Sequence, residues 1–115
     1  MPLLTVYTTE AAPPNPGSFL KALSALLARE LGKPESYVMT ALVPETSMTF
    51  AGSTEPTCFA QLKSLGDFTP SATARLSGVL CRALAEGLRV PKERIYVEFA
   101  NPPGHLWGHD GETFA

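Results

Sequence analysis

A repeat constrains this chain more than any other feature. Leu31-Gly32-Lys33-Pro34 and Leu88-Arg89-Val90-Pro91 each close a run of leucines at helical spacing. Each is followed shortly by Tyr-Val, at Tyr37-Val38 and Tyr96-Val97. Ahead of the first run lies Leu3-Leu4-Thr5-Val6-Tyr7, a β-branched and aromatic stretch closed by Thr8-Thr9. Ahead of the second lies Cys58 to Leu65, where Phe59 and Gln61 alternate with Ala60 and Leu62. Strand, helix and strand therefore occur twice in that order. A strand that returns parallel after a helix crosses over right-handedly. Two such units side by side predict an α+β fold, sandwich-like, with a four-stranded mixed sheet and two antiparallel helices on one face.

Proline, 11 of 115 residues, supplies the punctuation. Ala11 to Gly17 reads as a loop, because its prolines fix φ and remove backbone donors. Ser18 is the candidate N-cap of the first helix, Leu20, Leu23, Leu27 and Leu31 its apolar stripe, and Gly32 its C-terminal stop. Tyr37 to Val43 reads as a strand, stopped by Pro44. Met48 to Gly52 reads as a short extended piece and Ser53 to Pro56 as a turn. Thr69-Pro70-Ser71 opens the second helix, striped by Leu76, Leu80, Ala83, Leu84 and Leu88. Ile95 to Phe99 is the last strand, and the tail after Asn101 is rich in Pro and Gly.

At this length the chain is one domain, residues 1–115, with a thin core. The formal charge of -2 argues against nucleic acid as a partner. No apolar run approaches a membrane span, and Met1 to Tyr7 lacks the positive start of a signal peptide. The expected compartment is the cytoplasm, with both cysteines reduced. Two helices cover one face of the sheet, which leaves apolar side chains such as Val6, Met39, Ala41 or Leu62 for the other. A homo-oligomer packing sheet against sheet resolves this. Segments 48–51 and 107–115 are candidates for extending a neighbour's sheet.

Pro2 carries the most chemistry. Removal of Met1 exposes a secondary amine, and burial near cations lowers the pKa of such a group. A neutral amine near pH 7 is a general base. Equally, Pro2 could simply begin an edge strand, where proline is tolerated. Lys33 follows the helix-closing glycine. It either complements the helix dipole or projects toward the mouth of a pocket at the end of the first strand, where it would bind an acidic substrate and depress the pKa of Pro2. Cys81 reads as a small hydrophobe, and His105 with His109 are too few ligands for a metal.

Taken together, Met1-Pro2 opening a strand, Gly32-Lys33-Pro34 followed by Tyr37, Gly52-Ser53-Thr54-Glu55-Pro56, Ser64-Leu65-Gly66, Arg94-Ile95-Tyr96 and terminal Thr113-Phe114-Ala115 make the chain similar to the macrophage migration inhibitory factor family of the tautomerase superfamily. The resemblance spans the whole chain. It implies a homotrimer whose sheets form a barrel, with active sites between subunits. It implies cofactor-independent keto–enol tautomerisation of α-keto acids such as phenylpyruvate, or of dopachrome-type compounds. Pro2 would be the general base and Lys33 would bind the substrate carboxylate or oxygen. Ser64 and the backbone of Leu65 would hold the substrate, and Tyr37 with a neighbour's Tyr96 would line the pocket. Glu98, Trp107 and Phe114 complete the substrate-binding set.

Departures from the animal members sharpen this. Thr57 and Ala60 stand where those cytokines carry a C-x-x-C, so thiol-redox activity is not implied. Glu98 replaces an Asn and His109 replaces a rim tryptophan. A second reading, from the same resemblance, is a cytokine-like protein that binds a receptor, exported without a signal peptide, with weak or vestigial turnover. A third, decarboxylation or dehalogenation of small acids, wants a pocket Arg, and no Arg falls near the matching positions.

Overall fold

A computed structural model describes residues 1–115. The elements are β1 (Leu3–Thr8), α1 (Pro16–Leu31), β2 (Met39–Val43), β3 (Cys58–Lys63), α2 (Pro70–Leu88), β4 (Ile95–Ala100) and a terminal hairpin of β5 (Gly108–His109) and β6 (Glu112–Thr113). Three single-turn 3₁₀ segments cover Glu35–Tyr37, Lys92–Arg94 and Gly104–Leu106. The main sheet runs β2-β1-β3-β4, with β1 parallel to β2, β3 parallel to β4, and β1 antiparallel to β3. Both β-α-β units are therefore present, joined back to back, and the sheet is mixed as expected. No helix is long and apolar enough to cross a membrane.

The element ends differ from the sequence reading for local reasons. Asn15, not Ser18, caps α1: its side-chain oxygen accepts from the Ser18 amide at 3.1 Å, with Pro16 opening the helix. Gly32 closes it in the left-handed region (φ 63°), as its position suggested. Tyr37 falls in the 3₁₀ turn, because its amide bonds back to Pro34 O at 3.1 Å, and β2 begins only at Met39. The extended piece expected over 48–52 does not run through Ala51 and Gly52. Phe50 and Ser53 exchange two backbone bonds of 3.0 Å across Ala51 and Gly52, both at positive φ. That is the signature of a type I′ turn. The tail segments 108–109 and 112–113 pair with each other.

The face assignment also changes. Leu4, Val6, Ala60 and Leu62 are fully buried under the helices, against Leu23, Leu27, Leu80 and Leu84. Val6 and Leu62 are thus core, not open-face residues. Because strand side chains alternate, the register puts three four-residue rows on the open face. They are Met39–Leu3–Lys63–Ala100, Ala41–Thr5–Gln61–Glu98 and Val43–Tyr7–Phe59–Tyr96. Met39 and Tyr96 are 64% and 66% exposed there, a large area of apolar surface without cover.

The Gly-Ser-Thr-Glu-Pro stretch has a plain physical cause. Arg94, at the end of its 3₁₀ turn, donates to four backbone carbonyls of the loop: Pro56 at 2.8 Å, Phe50 at 3.1 Å, Ser53 at 3.2 Å and Glu55 at 3.0 Å. Its guanidinium also stands 5.2 Å from the Phe50 ring centroid. Buried Thr57 completes the latch, donating from Oγ1 to Arg94 O at 2.7 Å. Charge-assisted bonds of this kind contribute more than neutral ones. Arg94→Ala is expected to destabilise the fold by about 2–4 kcal/mol, read as a lower urea midpoint at fixed protein concentration. Arg94→Lys, lacking the planar fork, is expected to recover little of it.

Candidate active site at the start of the central strand

Topology gathers the candidate residues at one end of the sheet. β1 and β2 start there, while β3 and β4 end there, since Leu3 stands opposite Met39 and Lys63, and Lys63 opposite Ala100. The end of α1 with Lys33, the Ser64-Leu65-Gly66 turn and the C-terminal tail all arrive at that end. Pro2 opens β1, which is a central strand with partners on both sides and not an edge. Its ring is buried, and its carbonyl accepts from the Met39 amide at 3.0 Å. Proline's missing donor is tolerated here because the residue stands just before the ladder begins.

A cavity of about 370 Å³ opens over this terminus, lined by Met1, Pro2, Tyr37, Trp107 and His109 among others. A second, of about 270 Å³, shares none of these residues and is lined by Lys33, Ser64, Leu65, Gly66, Glu30, Asp67 and Arg75 among others. Lys33 lines only the second cavity, but its charge is felt at the terminus in the first. The Cβ that Gly66 lacks would stand 3.6 Å from the Lys33 ammonium nitrogen, and the same ammonium acts on the chain-terminal amine. That amine lies below the ordinary value for a terminal amine, first because burial disfavours its charged form and second because Lys33 repels it. The amine belongs to Met1 here. A proline nitrogen exposed by loss of Met1 would occupy the same corner, deeper by one residue.

Ser64 is buried and held rigidly. Its amide donates to Ala100 O at 3.1 Å, and its carbonyl accepts from Asn101 Nδ2 at 2.9 Å. Asn101 is a positioning residue that the sequence did not reveal, because a single Asn after a strand carries no pattern. Arg75 is a second residue without a sequence signal, and it does not line the cavity over Pro2. It lines the Lys33 cavity and is paired with Glu30 at 3.0 Å. It comes from the early part of α2, outside every quoted motif.

Phe114 and Trp107 belong to the tail that closes the cavity. The Phe114 amide donates to Gly104 O at 3.1 Å and to Trp107 O at 3.2 Å. Phe114 stacks on His109 with centroids 6.1 Å apart, and His109 meets Tyr37 edge-on at 5.9 Å. Tyr96 and Glu98 are not brought to this cavity. Tyr96 lies in the row of Tyr7, at the far end of the sheet, packed on Phe50 at 5.0 Å. Four residues of strand and two strand spacings separate it from Leu3, roughly 13 Å by 10 Å. Glu98, in the middle row, accepts a hydrogen bond from Gln61. Within one chain neither reaches Pro2.

Both cysteines are free, and burial, reinforced by Cys81, pushes the Cys58 thiol up to about 12. It is not a thiolate near pH 7. No three His, Cys, Asp or Glu side chains converge on a point that could hold a metal ion.

The family model described as macrophage migration inhibitory factor (MIF) matches residues 1–115. A macrophage migration inhibitory factor homolog of Trichinella spiralis is 38% identical over 114 residues, covering 99% of this chain and 100% of that protein. The macrophage migration inhibitory factor of Meriones unguiculatus is 34% identical and is matched along the whole of both chains. Among solved structures, the homologue from Prochlorococcus marinus aligns with a TM-score of 0.95 at 42% identity, over 98% of this chain and 99% of that one. The fold is therefore the α+β fold of the tautomerase superfamily. The chain belongs to the macrophage migration inhibitory factor family, a membership that supports an activity of the isomerase kind and a tendency to oligomerise.

The tail's approach depends on Gly104, where an added Cβ would collide with the Phe114 carbonyl oxygen. Gly104→Ala is expected to lift the last residues off the cavity. Hydrogen exchange at the Phe114 amide should accelerate while the core strands keep their protection.

Proposed function

We propose that the chain, once Met1 is removed, is a cofactor-independent keto–enol tautomerase for α-keto acids of the phenylpyruvate type or for dopachrome-like compounds. One observation carries this reading: buried Pro2 lies at a cavity mouth behind a partly buried terminal amine that desolvation and Lys33 hold toward the neutral form. With Met1 in place the proline nitrogen is an amide and has no basicity.

The neutral Pro2 nitrogen would take a proton from the carbon next to the substrate carbonyl. The C–H electron pair becomes the C=C bond, and the carbonyl π pair moves to oxygen. The same ammonium then returns its proton to that oxygen, giving the enol with no net change in composition. Lys33 would hold the carboxylate or the developing oxyanion, and the rigid Ser64-Leu65 turn would fix the substrate beside it.

The reading includes a homotrimer. The uncovered apolar rows need a partner, and Tyr96 and Glu98 can line a pocket only if another chain brings them. Glu98 favours the second reading to a degree. A carboxylate facing an anionic substrate weakens binding, so a cytokine-like binding role with little turnover is the alternative.

Two measurements test this. Light scattering at micromolar concentration is expected to give three times the chain mass, and a monomer mass would remove the shared pocket. In steady-state assays with phenylpyruvate, Pro2→Gly is expected to lose about a hundredfold or more in kcat/KM. Because the base works only when neutral, activity should fall as pH drops through a value below that of an ordinary terminal amine. Lys33→Ala removes a repelling charge, so that limb should move to higher pH while KM rises. Equal rates for wild type and Pro2→Gly would end the enzymatic reading, and receptor binding surviving Pro2→Gly would support the alternative.

A further inference from the structure

We propose that His109 is a specificity-determining residue of the Pro2 cavity, whose imidazole, once protonated, adds a positive charge to the rim and so selects anionic ligands. This rests on reading that cavity as the substrate site. His109 is one of the residues lining it, together with Pro2, Tyr37 and Trp107. Its ring is held from two sides, edge-on to Tyr37 and stacked on Phe114 at interplanar angles of 77° and 18°. A ring gripped in this way does the packing work of any aromatic residue. It differs in that imidazole is the side chain whose charge changes between about pH 5 and 8.

The charged neighbours determine the sign. From the start of β1 comes the terminal amine, with Lys33 beyond it at the end of α1. From the 3₁₀ turn comes the Tyr37 phenol. On its own hairpin His109 pairs across to Glu112 and is followed by Asp110, and the tail packed on it ends at the Ala115 carboxylate. With imidazole neutral, the hairpin adds only negative charge to this side of the cavity. On protonation the rim gains one positive charge, whichever carboxylate it faces. A ligand carboxylate is therefore held more tightly as pH falls, and a neutral ligand of the same shape is not. His109 is exposed, so the gain is the size of one hydrated ion pair, about fivefold, and shrinks with salt.

Trp107, the single tryptophan of the chain, lines the same cavity and reports binding without turnover. Phenylacetate and its neutral analogue phenylacetamide are titrated against Met-free wild type and His109→Phe, at several pH values between 5.5 and 8. Phenylalanine keeps the ring contacts and removes the charge. In wild type the phenylacetate Kd is expected to tighten, on acidification, about fivefold more than in His109→Phe. Phenylacetamide should show no such difference, and the effect should fade at high salt. The same phenylacetate profile in both proteins would overturn the proposal, leaving the pH dependence to the terminal amine and Lys33. It would not touch the tautomerase reading, which fails instead on equal turnover by wild type and Pro2→Gly.

Discussion

The antiparallel pairing of β1 with β3 is the constraint on which the rest depends. Each β-α-β unit has its own right-handed crossover and could form a strand pair with one helix. Only the β1–β3 ladder, Leu3 with Lys63 through Thr8 with Cys58, joins them into one sheet. Because the joint is antiparallel, the start of one unit meets the end of the other. That is why the chain terminus, the closing turn of α1, the Ser64 turn and the C-terminal tail share one end of the molecule. Parallel joining would have sent the Ser64 turn and the tail to the opposite end from Pro2.

The same joint governs burial. Facing residues of the ladder share a side of the sheet, so Leu4 with Leu62 and Val6 with Ala60 form a continuous apolar strip beneath the helices. The alternate residues, Leu3, Tyr7, Phe59 and their row partners, are left without a layer above them. Small domains bury a modest fraction of their surface, and here half of the sheet is still open. The terminus lies in a cleft at the end of that sheet, and partial burial together with the Lys33 charge acts on its one nitrogen.

Much of this was legible along the chain, for reasons that differ by element. The helices showed through leucines at helical spacing and through punctuation by Pro70, Gly32 and Pro91. The strands showed through alternation, but alternation leaves open which set faces inward. Val6 and Leu62 were placed outward and are core, since a period of two is unchanged by exchanging the faces. Boundaries moved where a hydrogen bond outside the pattern intervened, as when Pro34 O captured the Tyr37 amide. Arg94 stands in the sequence only as the head of Arg94-Ile95-Tyr96. Its four bonds to the 50–56 loop are invisible in sequence because guanidinium reach, not residue spacing, sets them.

What the sequence by itself determined is local: the two repeated units, where their helices begin and stop, the presence of a proline behind Met1 and of a lysine behind a helix-closing glycine. These follow from backbone dihedrals and side-chain periodicity, which act over a few residues. Only the tertiary structure decided that Pro2 opens a central strand, that Lys33 stands beside the Ser64-Leu65-Gly66 turn with its charge acting on the terminal amine, and that His109 lies between Tyr37 and Phe114. It also decided that Tyr96 and Glu98 stand apart from that cavity, on the open face. Those facts depend on strand order and register, which the whole set of buried side chains selects together and no short segment encodes.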